Sequence, residues 1–292
     1  MGFEVNGLLL DEEKLDLLIS EVKKNKEYEK IEDSIILDYI RKYAFMEFSQ
    51  LRKDLDSLRD SKFLKGCVKY VRSNLRRKTT LYLTKKTRKL IQSINNKGKL
   101  GIEDVKNILK SHRSTKERFD FYEELYEKIL SFHSISSSLS KQIEIADIGC
   151  GLNPFSYIYF PKEKRDNITF YVVDIDKELL DAVVVFFHSF SINGQVFLKN
   201  ALEFVSSFNR KITCVLLFRL LEVIDDSGHK NAERLIKSID SMLYVASFAR
   251  RTISGRKMTL QKKPWFERML ARLGFKCSSF CIKEEIFYFF YK

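Results

Sequence analysis

The sequence predicts an α/β chain. A doubly wound, mostly parallel sheet with a C-terminal antiparallel strand follows a small all-helical domain. Three observations carry this reading. From Ile143 onward, short continuous apolar runs alternate with helical runs, the pattern of a parallel sheet covered on both faces. The run Glu144–Phe155 reads as a buried strand that ends in Asp-x-Gly-x-Gly. Residues 1–110 show helical periodicity and almost no β signal.

The elements follow in chain order. Asp11 to Lys24 carries Leu15, Leu18 and Val22 at helical spacing, with Asp11, Glu12 and Glu13 in the first turn, where the helix dipole favours acids. Ile31 to Met46 is a second amphipathic run. From Ser61 a third helix is expected, with Leu64, Val68, Val71 and Leu75 in one apolar stripe. Lys62, Lys65, Lys69, Arg72 and Arg76 recur at the same spacing and form a second stripe about 120° away.

That second stripe belongs to a larger block. The formal net charge is +13, and residues 61–100 hold thirteen Lys or Arg and no acid, Arg77 and Lys78 among them. The rest of the chain is balanced at 39 basic and 39 acidic residues. Solvated helix faces usually mix acids with bases, because like charges four residues apart repel. A block without acids is the electrostatic footprint of a polyanion-binding surface, and phosphate contacts are expected there.

Asn95–Lys99 reads as a turn and Gly101–Ser111 as a helix. The polar segment His112–Arg118 precedes a helix carrying Tyr122, Leu125, Tyr126 and Ile129, with Ser114 or Thr115 as its cap. The domain boundary is placed here: a helical domain over 1–110, then a second domain over 111–292. Ser134–Lys141 is a Ser-rich connector. Strands are predicted at Ile143–Gly149, Ile168–Asp174, Gly194–Lys199, Ile212–Phe218 and Met242–Phe248. Helical runs at Lys177–Phe190 and Lys230–Ile239 fill gaps between them, and another follows around Trp265–Leu273. Phe275–Ile282 and Glu285–Tyr291 form a closing pair that ends antiparallel to the rest.

In such sheets ligands sit beyond the carboxyl ends of the strands. Gly149 and Gly151 let the backbone pass close to a ligand, and Pro154 suits a first helical position. A dinucleotide fingerprint requires a third glycine where Pro154 stands. Its absence favours S-adenosylmethionine, which has no pyrophosphate to cradle. The sheet is then the Rossmann-like methyltransferase variant. Asp147 belongs to the turn, as a ligand contact or as its anchor. Asp174, with Asp176 as near rival, stands about 25 residues after the glycines, where an acid binds ribose hydroxyls or caps a helix. Asn200 ends the third strand, where it would meet the adenine amino group. Phe218 and Arg219 end the fourth, facing methyl donor and target. The cluster of His112, Arg113, Lys116 and Arg118 offers a cation for the methionine carboxylate.

Other classes are disfavoured. No stretch of 18 uncharged apolar residues is present, so no membrane span is expected. The first residues lack a signal-peptide pattern. Five scattered cysteines suit reduced cytoplasmic thiols, and no Cys/His spacing completes a zinc set.

The same residues resemble a known family, the 16S rRNA (guanine(1405)-N(7))-methyltransferases of aminoglycoside resistance. Lys69–Leu75 and on to Leu83 resembles its basic N-terminal helix. His112-Arg113-Ser114-Thr115-Lys116-Glu117-Arg118 resembles its His-x-Ser-Thr-Arg-Glu-Arg segment. Asp147–Phe155, with Leu152-Asn153-Pro154, resembles its cofactor turn. Leu217–Leu221, Ala246–Phe248 with Ser254-Gly255-Arg256, and Glu285–Tyr288 resemble later strands and a loop.

The resemblance implies S-adenosylmethionine as cofactor and 16S rRNA in the 30S ribosomal subunit as partner, for a cytoplasmic, monomeric enzyme. His112 and Arg118 would hold the methionine carboxylate, Gly149 the methionine part, Asp174 the ribose and Asn200 the adenine. Arg219 and the Ser254–Arg256 loop would border the base. Arg250, Arg251, Arg256 and Trp265 are further candidates for phosphate or stacking contacts. The chain departs from the family at Lys116, Asn200 and Ala249-Arg250-Arg251. Competing readings are a methyltransferase for tRNA or another RNA, a small-molecule methyltransferase, and a non-catalytic ribosome-binding protein.

Overall fold

The structure is a computed structural model that describes residues 2–76, 83–132, 142–225, 228–251 and 262–292. The chain divides into two compact units, Met1–Leu81 with Ile175–Lys177, and Tyr82–Asp174 with Glu178–Lys292.

The first unit opens with a hairpin that the helical reading missed. Strands β1 (Phe3–Val5) and β2 (Leu8–Leu10) pair antiparallel around Asn6 and Gly7, at φ +47° and +82°. Asn-Gly is the favoured sequence for the two-residue turn that matches strand twist. Helices α1 (Glu12–Lys23), α2 (Asp33–Met46), α3 (Phe48–Asp54) and α4 (Lys62–Leu75) follow. Asp11 and Ser61 cap α1 and α4, accepting from the Lys14 and Leu64 amides at 2.9 and 3.0 Å. The buried stripe of α4 is Phe63, Leu64, Cys67, Val71 and Leu75, with Val68 only half-buried.

The basic stripe of α4 splits by role. Lys62, Lys65, Lys69 and Arg76 are exposed. Arg72 is half-buried, and its guanidinium donates to the Val22 and Glu21 carbonyls at 3.2 and 2.6 Å. These carbonyls end α1 and have no partner within the helix, so a cation is favoured there. Arg72, expected as an RNA contact, is an internal cap. Arg72→Ala is expected to lower the stability of this unit by about 1–3 kcal/mol, read as a lower midpoint in thermal unfolding. Arg77 and Lys78 lie outside the described residues.

In the second unit, α5 (Lys85–Lys97), α6 (Ile102–Ser111), α7 (Arg113–Arg118) and α8 (Tyr122–Leu130) precede the sheet. The division at residue 81 corrects the boundary expected near 110. Ile91, Ile94, Val105, Ile108 and Leu109 are buried in the same core as Ile143, Phe155 and Phe170, so α5 and α6 belong with the sheet. The basic block therefore falls partly in each unit. In the second, Arg88 pairs with Glu178 at 3.0 Å and Lys97 with Asp104 at 2.6 Å.

The sheet has seven strands: β3 (Ile143–Ile148), β4 (Ile168–Asp174), β5 (Gly194–Leu198), β6 (Ile212–Phe218), β7 (Ser241–Ala249), β8 (Lys276–Ile282) and β9 (Glu285–Tyr291). Their order is β5-β4-β3-β6-β7-β9-β8. Pairings among β3 to β7 are parallel, while β9 runs antiparallel to both β7 and β8. This is the predicted mostly parallel sheet with one reversed strand. Alternate residues enter two cores. Cys214, Leu216 and Phe218 of β6 face one, and Val215 and Leu217 face the other. Successive strands leave β3 in opposite directions, so the carboxyl ends of β3 and β6 flank the switch point where such sheets bind ligands. No helix among the described residues is long and apolar enough to cross a membrane.

Candidate active site

At the end of β3 the Gly149 amide donates to the Val173 carbonyl at 2.8 Å, and Cys150 donates to the same oxygen at 3.0 Å. Gly149 has φ +67°, and an added Cβ would stand 2.6 Å from Leu220 Cδ1. Only glycine meets both demands. Gly151, at φ +51°, faces open space where a side chain would be. Its amide donates to Asp174 Oδ2 at 2.8 Å. Asp174 at the end of β4 thus fixes the turn from beside it.

Beyond the turn the chain enters a 3-10 helix, Asn153–Tyr159, with Pro154 in its first turn. A short 3-10 helix supplies little dipole to the turn. Neighbouring carboxylates dominate it instead. Asp147 is 1% exposed and accepts from Asn153 Nδ2 at 2.8 Å. Burial pushes its carboxyl up to about 7, against the Asn153 hydrogen bond and the nearby Arg118.

Asn153 leads to a second cluster. Its Oδ1 accepts from Tyr122 Oη at 3.0 Å and from Arg118 Nη1 at 3.3 Å. Arg118 is 2% exposed. Its Nε donates to both oxygens of Glu285, at 3.1 and 3.0 Å, and Nη2 donates to Oε1 at 3.0 Å. The same guanidinium lies 4.7 Å over the Phe218 ring. Arg219, at the end of β6, shares this carboxylate. Its Nη2 donates to Glu285 Oε2 at 2.9 Å and to Glu117 Oε2 at 2.6 Å. Ser247 Oγ donates to Glu285 as well. Burial would raise the Glu285 carboxyl, but Arg118 and Arg219 outweigh it and hold it below the usual range.

Several expected roles change here. Arg118 is already engaged by Glu285 and Asn153, so its geometry is that of a buried support rather than an open carboxylate grip. His112 is buried, with Nδ1 3.0 Å from Ser114 Oγ. Burial, and then Arg118 and Arg219, depress its pKa to about 3, so it is a neutral imidazole and not a cation. Thr115 does not cap the next helix; its hydroxyl donates to the Leu109 and His112 carbonyls. Phe218, expected to face donor and target, packs in the core edge-on to Phe287 at 5.8 Å.

Asn200 caps the helix Ala201–Ser207, its Oδ1 accepting from the Leu202 and Glu203 amides. That oxygen is not open to an adenine amino group, and its NH2 suits a ring-nitrogen acceptor instead. Asp176 is 2% exposed, counts with the first unit and bridges Ile31 through its backbone, unlike Asp174 beside the glycines.

Arg250 donates to the Lys283 carbonyl at 3.0 Å, and Arg251 pairs with Glu284 at 2.9 Å. Both candidates thus engage the β8–β9 turn. Trp265 stacks on His229, centroids 3.7 Å apart, and meets Phe248 edge-on. Arg256 and the Ser254–Arg256 loop lie outside the described residues.

The structure adds Asn153, Glu117 and above all Glu285 to the site. Glu285 pairs with Ala249 across the reversed strand, which brings it to the carboxyl end of β7. Arg219 carries two further marks. It is a non-glycine residue at φ +57°, and its buried Nε has no hydrogen-bond partner among the described residues. Left-handed backbone and an orphaned donor together mark a functional position.

Asp147 and His112 give the site a testable pH signature. An acid whose pKa rises on folding, from 3.8 to about 7, favours folding when protonated. Its cost therefore grows as pH rises from about 4 to 7 and is constant above. His112 acts oppositely: stability is lost as pH falls from 6.5 toward 3. Asp147→Asn keeps the acceptor for Asn153 and removes only the first effect. The variant should exceed wild type at pH 8 by a margin on the order of 4 kcal/mol. That margin should shrink toward pH 4, as measured by urea unfolding across this range.

The donor set fits S-adenosylmethionine. Asp174 is a carboxylate at the position of a ribose acceptor. Gly151 leaves backbone bare beside it. Arg219 holds a donor, Nε–H, that has no partner among the described residues and suits an anionic group.

Comparison with known proteins agrees with this geometry. The family described as "Ribosomal RNA methyltransferase (FmrO)" matches residues 67–289. The chain is 28% identical over 156 residues to a 16S rRNA (guanine(1405)-N(7))-methyltransferase of Proteus mirabilis, covering 53% of this chain. The match spans about half the length of that curated relative (52%). Among solved structures, the 16S rRNA methyltransferase RmtF in complex with S-adenosyl-L-homocysteine superposes with TM-score 0.72 at 17% identity, covering 97% of this chain and 99% of that one. The 16S rRNA methylase RmtB gives 0.70 at 21% identity, over 95% and 98%. At these identities the likeness is one of fold.

Proposed function

Since this chain belongs to the ribosomal RNA methyltransferase (FmrO) family, we propose that it transfers a methyl group from S-adenosylmethionine to N7 of a decoding-site guanine of 16S rRNA, equivalent to position 1405, in the 30S subunit. On this reading it works in the cytoplasm as a monomer and confers aminoglycoside resistance. One observation carries the proposal. The Asp147–Gly151 turn, with Asp174 hydrogen-bonded to the Gly151 amide, stands at the switch point of the sheet and inside the matched stretch.

The bound cofactor supplies an electrophilic sulfonium methyl group. Guanine N7 has an in-plane lone pair and no proton, so no general base is needed. The residues have only to bind and align, and alignment alone can contribute about 7–11 kcal/mol. Asp174 accepts from the ribose hydroxyls, and the Asn200 NH2 donates to an adenine ring nitrogen. Arg219, whose Nε–H has no partner among the described residues, meets a ligand oxygen at the end of β6. N7 lies in the deep, narrow groove of A-form RNA, so the target base must leave its stack. The exposed Lys62, Lys65, Lys69 and Arg76 serve phosphate contact.

Transfer of labelled methyl from S-adenosylmethionine tests the proposal, with 30S subunits, naked 16S rRNA and bulk tRNA as parallel acceptors. Label in 30S is expected. Label only in tRNA moves the substrate, and cofactor binding without any transfer favours a non-catalytic ribosome-binding protein.

A further inference from the structure

Glu285 has no role in the chemistry described above, yet it is the most connected side chain of the site. It is 1% exposed and accepts hydrogen bonds from Arg118, Arg219 and Ser247. Three different segments supply these donors: α7, the end of β6, and β7. Arg118 continues to Asn153, and Asn153 continues to Asp147 at the base of the glycine turn. A continuous chain of hydrogen bonds thus runs from the first residue of the reversed strand to the cofactor turn.

Stability is a weak reason to keep such a group. Buried ion pairs often contribute no more than apolar residues of the same volume, because desolvation offsets the attraction. What the arrangement does supply is orientation. A carboxylate shared by two planar guanidinium groups fixes the direction of each, as charge-assisted bonds to a rigid fork do. It leaves the Arg219 Nε–H without a protein acceptor among the described residues.

We propose that Glu285 is a positioning residue for cofactor binding. It holds Arg219 at the end of β6 and, through Arg118, Asn153 and Asp147, sets the Gly149–Gly151 turn. This rests on the methyltransferase reading, and it assigns a role to the closing strand that the fold alone does not require. Glu285 acts through its neighbours and does not itself touch the reacting atoms.

Calorimetric titration with S-adenosylhomocysteine, well below the unfolding midpoint, tests it. Glu285→Gln should weaken binding at least tenfold, and Glu285→Asp should restore part of the loss. Glu285→Gln leaves the buried Arg118 without a carboxylate, while Arg219 keeps Glu117, and the variant can fail to fold. Ser247→Ala removes one donor without orphaning a charge, and should weaken binding several-fold at an unchanged melting temperature. Unchanged affinity in the folded variants, with only a lower melting temperature for Glu285→Gln, makes Glu285 purely structural and overturns the proposal. The wild-type titration separates the two claims. No binding by wild type contradicts the cofactor reading and this proposal together. Binding by wild type that the variants match contradicts this proposal alone.

Discussion

Asp174→Ala is expected to abolish measurable binding of S-adenosylhomocysteine while leaving binding to 30S subunits intact. Asp174 ends β4 and accepts from the Gly151 amide at 2.8 Å. On the proposed reading its carboxylate also accepts from the ribose hydroxyls. Hydrogen bonds to a charged group contribute about 1.5–3 kcal/mol each. Two lost together predict a fall in affinity of roughly two to four orders of magnitude. The Gly151 amide loses its partner as well, so the bare backbone that the ligand needs is no longer held. Asp174→Asn keeps an acceptor of the same shape and should lose less. Calorimetry reads the cofactor affinity, and co-sedimentation with 30S subunits reads the second arm. An alanine variant that binds the cofactor normally would move the ribose contact elsewhere.

The second large effect lies on α4. Replacing Lys62, Lys65 and Lys69 together with glutamine should weaken 30S binding strongly and flatten its dependence on salt. All three are exposed, and none carries the internal duty that Arg72 has. Each phosphate contact contributes about 0.7–0.9 to the slope of log affinity against log salt. Loss of three contacts should therefore reduce the slope by roughly 2 to 3. Cofactor affinity should not change. If the slope stays the same, the basic stripe is a solvated face, and a small-molecule acceptor gains ground.

The inner strands of the sheet were legible because they are buried on both faces. Runs such as Ile212–Phe218 are continuously apolar and bounded by polar residues, and each was found to within a residue or two. The reversed direction of the last strand was readable as well. The hairpin Phe3–Leu10 was missed because three-residue strands leave almost no periodicity, although Asn6-Gly7 was a local sign of it. The boundary was misplaced because an amphipathic pattern shows that a helix buries one face, but not against what. Only the packing of Val105 and Leu109 onto the sheet core settles it.

At the site, the local geometry was legible in the sequence and the distant pairings were not. The glycine turn and Asp174 announce themselves within a short stretch of chain. Arg118 and Glu285 are separated by 167 residues, and nothing in either neighbourhood points to the other. Glu285 opens a β run beside Lys283 and Glu284, and reads as one more polar residue at a turn. For that reason Arg118 and His112 looked like open cations. In the folded chain one is matched by a buried carboxylate, and the other is stripped of its charge by burial. The Asn200 side chain went the same way: the amides of its own helix claimed the oxygen assigned to adenine.

The central claim is methylation at guanine N7 in the small subunit. An N7-methylguanosine carries a positive charge on its ring, which makes the base labile to reduction and the strand open to aniline scission. The most direct measurement treats 30S subunits with the wild-type protein and S-adenosylmethionine, extracts the 16S rRNA, reduces it and maps scission by primer extension. A single new stop at a decoding-site guanine, absent when Asp174→Ala replaces wild type, is the expected result. Incorporated methyl label without any scission would place the group on another atom and contradict the account.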